Sequence, residues 1–186
     1  MRKNLGAKAI LYPMPVLIIG TYDENGTPNA MNAAWGGISE ETEISICVSD
    51  EHKTAENVVT AGAFTVSIAD KNNLVAADYV GIVSGNDVPD KIVKCNWTAE
   101  KGEFVNAPIF KELPMALECK LKSYDKENCR LVGEIINISA DESILDNKGR
   151  ITLDKFMPIT YDPVAHTYRT IGEVVGKAFS DGKKLK

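Results

Sequence analysis

"MALECKLKSYDKENCRLVGEIINISAD" runs from Met115 to Asp141, and its two halves decide the class of fold. In the first half Leu117, Cys119 and Leu121 face one way and Glu118, Lys120 and Lys122 the other. A period of two is the mark of a strand with two unlike faces. "DKEN" then offers turn residues. "CRLVGEIINISAD" returns as a longer strand, apolar enough to be buried over part of both faces.

Other strands gather around this pair. "PVLIIGTYD" (Pro15 to Asp23) is β-branched and apolar and leads into "DENG", a hairpin signal. The return segment, "TPNAMNAAW", carries small residues and two asparagines. "EISICVSD" (Glu43 to Asp50) sets Ile44, Ile46 and Val48 on one face, "AFTVSIAD" is another strand, and "FMPITYD" a last short one. Two or three helices are expected. One lies in "SDEHKTAENVVTAG" (Ser49 to Gly62); another runs from about Lys71 to Val83, capped by Asp70. Many short strands with few helices predict a mainly β antiparallel barrel with flanking helices. The regular strand–helix alternation of a doubly wound sheet is missing. No GxGxxG or P-loop pattern follows a strand, which argues against a Rossmann dinucleotide site.

The chain of 186 residues suits one domain, and 44% hydrophobic with 25% charged residues suits a globular core. A net charge of -5 argues against nucleic acid or an anionic membrane as the main partner. No apolar run approaches the ~20 residues of a membrane span. "AILYP" is too short for a signal h-region, so the cytoplasm is the expected location. The four cysteines form no CxxC pair, and His52 and His166 lie far apart, so no metal site is expected. Reduced, mostly buried thiols are expected, Cys119 foremost.

The first helix raises a chemical question. Ser49 or Asp50 can cap it, Ala55, Val58 and Val59 recur at helical spacing, and Gly62 can stop it. Yet His52, Lys53 and Thr54 crowd a first turn where the macrodipole disfavours a cation. Free N–H groups at a helix start bind anions, and Lys53 and Thr54 add a charge and a hydroxyl suited to phosphate. A solvated turn with Lys53 paired to Glu56 or Asp50 explains the same residues equally well. "NAMNAAWGG" (Asn29 to Gly37) adds close-approach residues, hydrogen-bonding Asn29 and Asn32, and Trp35 as an apolar wall. The alternative is a small-residue strand beneath a helix with Trp35 in the core. "ICVSD" (Ile46 to Asp50) precedes the phosphate candidate, so a planar ligand with a phosphate tail could lie there. Cys47 then stands near the ring, as a small packing residue rather than a redox centre.

Taken in order, "YPMPVLIIGTYDENGTPNAMNAAWGG", "ISICVSDEHKTAENVVTAGAFTVSIAD", "LVGEI" and "YRTIGEVVGKAFSDGK" resemble the flavin reductase-like family, and within it the flavoredoxin-type members. The resemblance covers nearly the whole chain. It implies a six-stranded Greek-key split barrel that binds FMN near the interface of a homodimer. Position by position it implies that Ala30, Met31, Asn32, Ala33 and Ala34 lie along the flavin and ribityl chain, with Asn29 and Trp35, at the two ends of this run, also among the cofactor-binding candidates. Cys47, Val48 and Ser49 would approach the ring mainly through the backbone. His52, Lys53 and Thr54 would hold the phosphate, with Asn57 nearby.

Related two-component reductases often carry a histidine, tied to nicotinamide handling, in the turn before the strand ending in Gly-Glu. Asn128 stands near that position here. NAD(P)H is one candidate donor, and the missing histidine leaves room for a redox protein instead. The readings in play are flavin-dependent electron transfer or reduction, a non-catalytic flavin-binding or storage module, and a cofactor-free interaction barrel. The expected organisation is one domain over 1–186 with a tail from about residue 165. In that tail Val174, Val175, Ala178 and Phe179 form an apolar face at roughly helical spacing, for a second subunit or for the chain's own.

Overall fold

The computed structural model describes residues 1–185. The first half contains β1 (Met14–Pro15), β2 (Leu17–Tyr22), β3 (Pro28–Ala33), β4 (Gly36–Glu40), β5 (Glu43–Cys47), α1 (Lys53–Ala61), β6 (Ala63–Ile68) and α2 (Leu74–Ile82). There follow α3 (Lys91–Lys94), β7 (Ala99–Lys101), β8 (Pro108–Phe110), β9 (Met115–Asp125), β10 (Arg130–Ala140), α4 (Leu153–Phe156), β11 (Ile159–Asp162) and β12 (Thr167–Thr170). The hairpin at Met115–Asp141 is the β9–β10 pair, with Leu131 opposite Tyr124 and Ile138 opposite Leu117.

The main sheet is antiparallel with order β3-β2-β6-β9-β10-β5-β4. Its two edge strands, β3 and β4, are joined by Ala34 and Trp35 alone. So short a link brings the edges together and curls the sheet into a half-barrel. The class is the expected split barrel, with seven strands in its main sheet rather than six. The extra strand is β4, whose Gly36-Gly37 start and polar end hide it from pattern reading. Two small sheets, β1-β11-β12 and β7-β8, flank the barrel.

The barrel interior is filled from the inward faces of these strands. Leu17, Ile19, Ile44, Ile46, Phe64, Val66, Leu117 and Leu131 pack together, and Ala55 and Val58 of α1 join them. Gly133 serves this packing. A β-carbon there would lie 2.3 Å from Phe64 Cζ, so the ring occupies the space a side chain would need. A second cluster joins β2 and β3 to the helical layer through Ile18, Ala30, Ala77, Val80, Trp97 and Phe110. β3 is thus packed on both faces, and only its outer edge carries no partner strand.

Several local expectations change. α1 begins at Lys53 with His52 as N-cap, after a turn in which His52 N–H donates to Ser49 O; neither Ser49 nor Asp50 caps it. Its buried face is Thr54, Ala55, Asn57 and Val58, while Val59 is exposed. Gly62 ends it in the left-handed region as expected, at φ 66°. α2 starts three residues later than predicted because Asp70 caps the turn before it, accepting from the N–H groups of Asn72 and Asn73. Glu118 is fully buried on the charged side of β9. Of the cysteines only Cys119 is buried, and burial pushes its thiol up to about 12. Cys95 and Cys129 are half-buried. Cys47 is exposed, so it packs no core within this chain.

Candidate functional site

A cleft of about 330 Å³ opens where the bare edge of β3, the start of α1 and the loop after α2 meet. Asn29, Met31 and Asn32 line it from β3, and His52, Lys53 and Thr54 from α1. Val83, Ser84, Gly85 and Lys91 close the far wall. The cleft continues, sharing Asn32, Gly81 and Ile82, into a hollow of about 370 Å³ bordered by Tyr161, His166 and Tyr168. Through Ala34 it reaches a third hollow beside Trp35. Together they form a groove along β3 from the first turn of α1 to Trp35. Its dimensions suit a cofactor-sized ligand.

The polar face of α1 explains how the upper end is held. Asn57 Nδ2 donates to Thr21 Oγ1 at 3.0 Å, and Asn29 Nδ2 donates to Thr54 Oγ1 at 3.0 Å. Sequence reading overlooked Thr21, because a threonine inside a strand carries no site signal of its own. Asn29 Oδ1 is buried without a hydrogen-bond partner among the described residues. Gly85 faces it so closely that a β-carbon there would lie 2.4 Å from Oδ1. A buried unmatched acceptor costs free energy unless something supplies a donor.

The start of α1 is similarly open. His52 caps without a side-chain hydrogen bond, and the N–H groups of Lys53 and Thr54 have no partner among the described residues. Lys53 Nζ pairs with Glu56 Oε1 at 3.0 Å, one of the two pairings considered above; Asp50 binds Lys126 instead, at 2.8 Å. An exposed i,i+3 pair is worth under ~1 kcal/mol and yields readily to a stronger anion. Free donors and a cation at a helix start are the donor set that phosphate needs.

The structure brings Asn29, Met31, Asn32, His52, Lys53 and Thr54 together around the cleft, with Ala34 and Trp35 further along the groove. Trp35 is 58% exposed, not in the core. The side chains of Ala30, Ala33 and Val48 are buried, so only their backbone is available to a ligand. Asn57 lies behind the cleft wall, on Thr21. Cys47 is next to Trp35, its N–H donating to Trp35 O at 2.7 Å, and Ser49 is half-buried in the turn before α1. Asn128 sits in the β9–β10 turn with its amide on Asp125 Oδ2 at 2.7 Å. Sequence reading missed Ser84, Gly85 and Lys91, which lie in an ordinary-looking polar loop and a four-residue helix. No group of three or more metal-ligating side chains occurs among the described residues, and no helix there is long and apolar enough to cross a membrane.

Residues 9–168 match the model of the flavin reductase like domain, and the chain belongs to that family. Within it, the chain is similar to the flavoredoxin of Desulfovibrio vulgaris (Miyazaki F): 38% identical, TM-score 0.93, covering 98% of this chain and 100% of that one. It is also similar to the flavoredoxin from Methanosarcina acetivorans, at 27% identity and TM-score 0.87 over 100% of this chain and 98% of that one. An uncharacterised protein of Aquifex aeolicus (strain VF5) is 26% identical over 164 residues, 81% of each chain.

Proposed function

We propose that this protein is an FMN-dependent electron carrier or reductase, with the cofactor lying along the β3 groove. The observation that carries this reading is the coincidence of an open helix start, Lys53 and an unmatched Asn29 Oδ1 at one end of a groove that runs to Trp35. The flavoredoxin relatives support it. The free N–H groups of α1 and the Lys53 ammonium take the phosphate. Asn29 and Asn32 supply polar contacts beside the ribityl chain, and the backbone of Ala30 to Ala34 borders it. Trp35 and the Cys47–Ser49 backbone stand beside the ring. When bound, the flavin supplies one- and two-electron chemistry. This chain's residues bind, orient and shield it. A protein donor is favoured over direct NAD(P)H oxidation, because Asn128 occupies the turn where relatives place histidine.

A homodimer fits the distribution of apolar surface. Leu11, Trp35 and Ile38 are exposed around the β3–β4 seam. The tail's Val174, Val175 and Phe179 are exposed on a segment without helix, folded onto nothing in its own chain. We take residues up to about 165 as the flavin-binding unit, the tail as a dimer contact, and the cytoplasm as the workplace of its free thiols. Sedimentation of a chain ending at Tyr168 is expected to show a weaker dimer; an unchanged one removes the tail from the interface.

The central test is anaerobic titration of purified protein with FMN and riboflavin, followed by NADH, NADPH or a reduced protein donor. FMN should bind, more tightly than riboflavin, and be bleached by one donor. Failure to bind FMN rejects the reading. Bound flavin that no donor reduces favours a storage module.

A further inference from the structure

Asn32 lines both the cleft beside α1 and the hollow bordered by Tyr161, His166 and Tyr168. Its side-chain amide is not free to turn. Nδ2 donates to Ala77 O of α2 at 2.9 Å. A β-carbon on Gly81 would lie 2.9 Å from Asn32 Cβ, so the α2 backbone is pressed against this residue. Turned over, the amide would set Oδ1 against a carbonyl oxygen, and two acceptors repel. The orientation is therefore fixed by chemistry, with Nδ2 toward the helix and Oδ1 away from it. Oδ1 accepts from no group among the described residues. Unlike Asn29 Oδ1, it is not sealed from solvent. The open surface of Asn32 is the groove wall, so this acceptor is offered there.

Two residues from distant parts of the chain hold the nitrogen side of the amide. Tyr168, on β12, donates its hydroxyl to Asp78 Oδ1 of α2 at 2.7 Å. Its ring packs 5.9 Å from that of Tyr161 on β11. Burial and the contact with Asp78 push the phenol up to about 12, and the neighbouring Asn32 amide, acting on it as a donor, opposes that rise. The phenol thus keeps its proton at every ordinary pH. That proton is committed to Asp78, which leaves the phenol oxygen to accept from the amide. Ala77 O and the Tyr168 oxygen both lie on the nitrogen side, and neither can donate to Oδ1.

Building on the FMN reading, we propose that Asp78 and Tyr168 are positioning residues that lock the Asn32 amide with its carbonyl toward the groove, and that this fixed acceptor selects ligands carrying a polyol between phosphate and ring. A fixed acceptor gains a contact only from a hydrogen-bond donor. An apolar group placed there would strip water from Oδ1 and return nothing. In a flavin nucleotide the stretch between phosphate and ring is a chain of hydroxyls. Asn32 stands between Lys53 at one end of the groove and Trp35 at the other, where those hydroxyls would pass. An amide locked in advance loses no rotamer freedom when the ligand arrives.

The test is a fluorescence titration with FMN and riboflavin, which carry the polyol, and with lumiflavin, which has the same ring and a methyl group in its place. Tyr168→Phe keeps the ring packing, and thermal unfolding verifies its fold. It should weaken FMN and riboflavin by about three- to tenfold, the scale of one hydrogen bond, and leave the weaker binding of lumiflavin unchanged. Asp78→Asn, whose carbonyl still accepts from the phenol, should keep most of the FMN affinity, and Asp78→Ala should lose as much as Tyr168→Phe. Asn32→Leu should weaken FMN too, and in that background Tyr168→Phe should add nothing. Full FMN affinity in Tyr168→Phe, equal losses for lumiflavin, or additive effects of Asn32→Leu and Tyr168→Phe overturn the assignment while sparing the FMN reading. A wild-type protein that binds no FMN overturns both.

Discussion

Glu118 and Lys91 carry opposite charges in equally dry places, yet the protein treats them differently. Each oxygen of Glu118 is matched: Oε2 accepts from Phe104 N–H at 2.8 Å, and Oε1 from Asn137 Nδ2 at 3.1 Å. The carboxylate pins the loop after β7 and the strand β10 onto β9, and it lines none of the three hollows of the β3 groove. Lys91 has one partner for three donors, and near it Asn29 Oδ1 has none. Buried polar groups that serve the fold alone are satisfied from within. Those that stay unsatisfied around a cleft are stability held back for something that arrives later.

The comparison breaks most readily at Glu118. Glu118→Ala should cost about 3–5 kcal/mol in chemical denaturation, because it empties a fully buried position and takes the acceptor from two part-buried donors, Phe104 N–H and Asn137 Nδ2. Properly folded variant should retain FMN affinity. A loss below ~1 kcal/mol would mean the carboxylate does not hold these elements.

Next comes the pH dependence of apo stability. The folded pKa of Lys91, about 8, lies below its ordinary 10.5. Between those values the unfolded chain keeps a proton that the folded chain has released. Stability therefore rises with pH across that window, by about 3 kcal/mol at full extent. Comparing wild type with Lys91→Met isolates this rise, which the variant should lack and saturating FMN should suppress.

Smaller is the effect of Lys53→Ala, expected to weaken FMN by about 1.5–3 kcal/mol and riboflavin hardly at all. Equal losses in a binding titration would remove Lys53 from the phosphate. Smallest is Asn29→Leu, which should change folding stability by under about 1.5 kcal/mol, since one of its polar atoms is unmatched to begin with. The same variant should bind FMN more weakly. A stability loss as large as that of Glu118→Ala would make Asn29 a structural residue like it.

Much of this was legible in the chain. The β9–β10 hairpin follows from strict alternation and a turn of four polar residues. The cleft at the start of α1 was signalled by a lysine and a threonine placed where a helix dipole favours anions. Other features had no local signal. β4 has two glycines and a polar end, and β7 and β8 have three residues each, so their pairing is set by tertiary packing. Lys91 in "PDKIVKCNW" looks like any surface lysine, because burial is decided by α2 and β3, which precede it in the chain. The tail shows helical spacing, but no helix forms over residues 174–179, only a 3-10 turn at Asp181–Leu185. Gly172, Gly176 and Gly182 dilute it, and no surface of its own chain covers the apolar side that would stabilise the turns.

The two tryptophans stand in opposite surroundings. Trp97, 6% exposed, packs its ring 5.2 Å from Phe110 in the helical layer, whereas Trp35 stands in water at the seam. Their emission should therefore separate, the buried indole to shorter wavelength and resistant to iodide, the exposed one redder and readily quenched. The blue component then reports global unfolding, and the red one reports whatever covers the seam, whether a flavin ring or a second subunit. One cuvette can follow assembly and denaturation at once, with no label added.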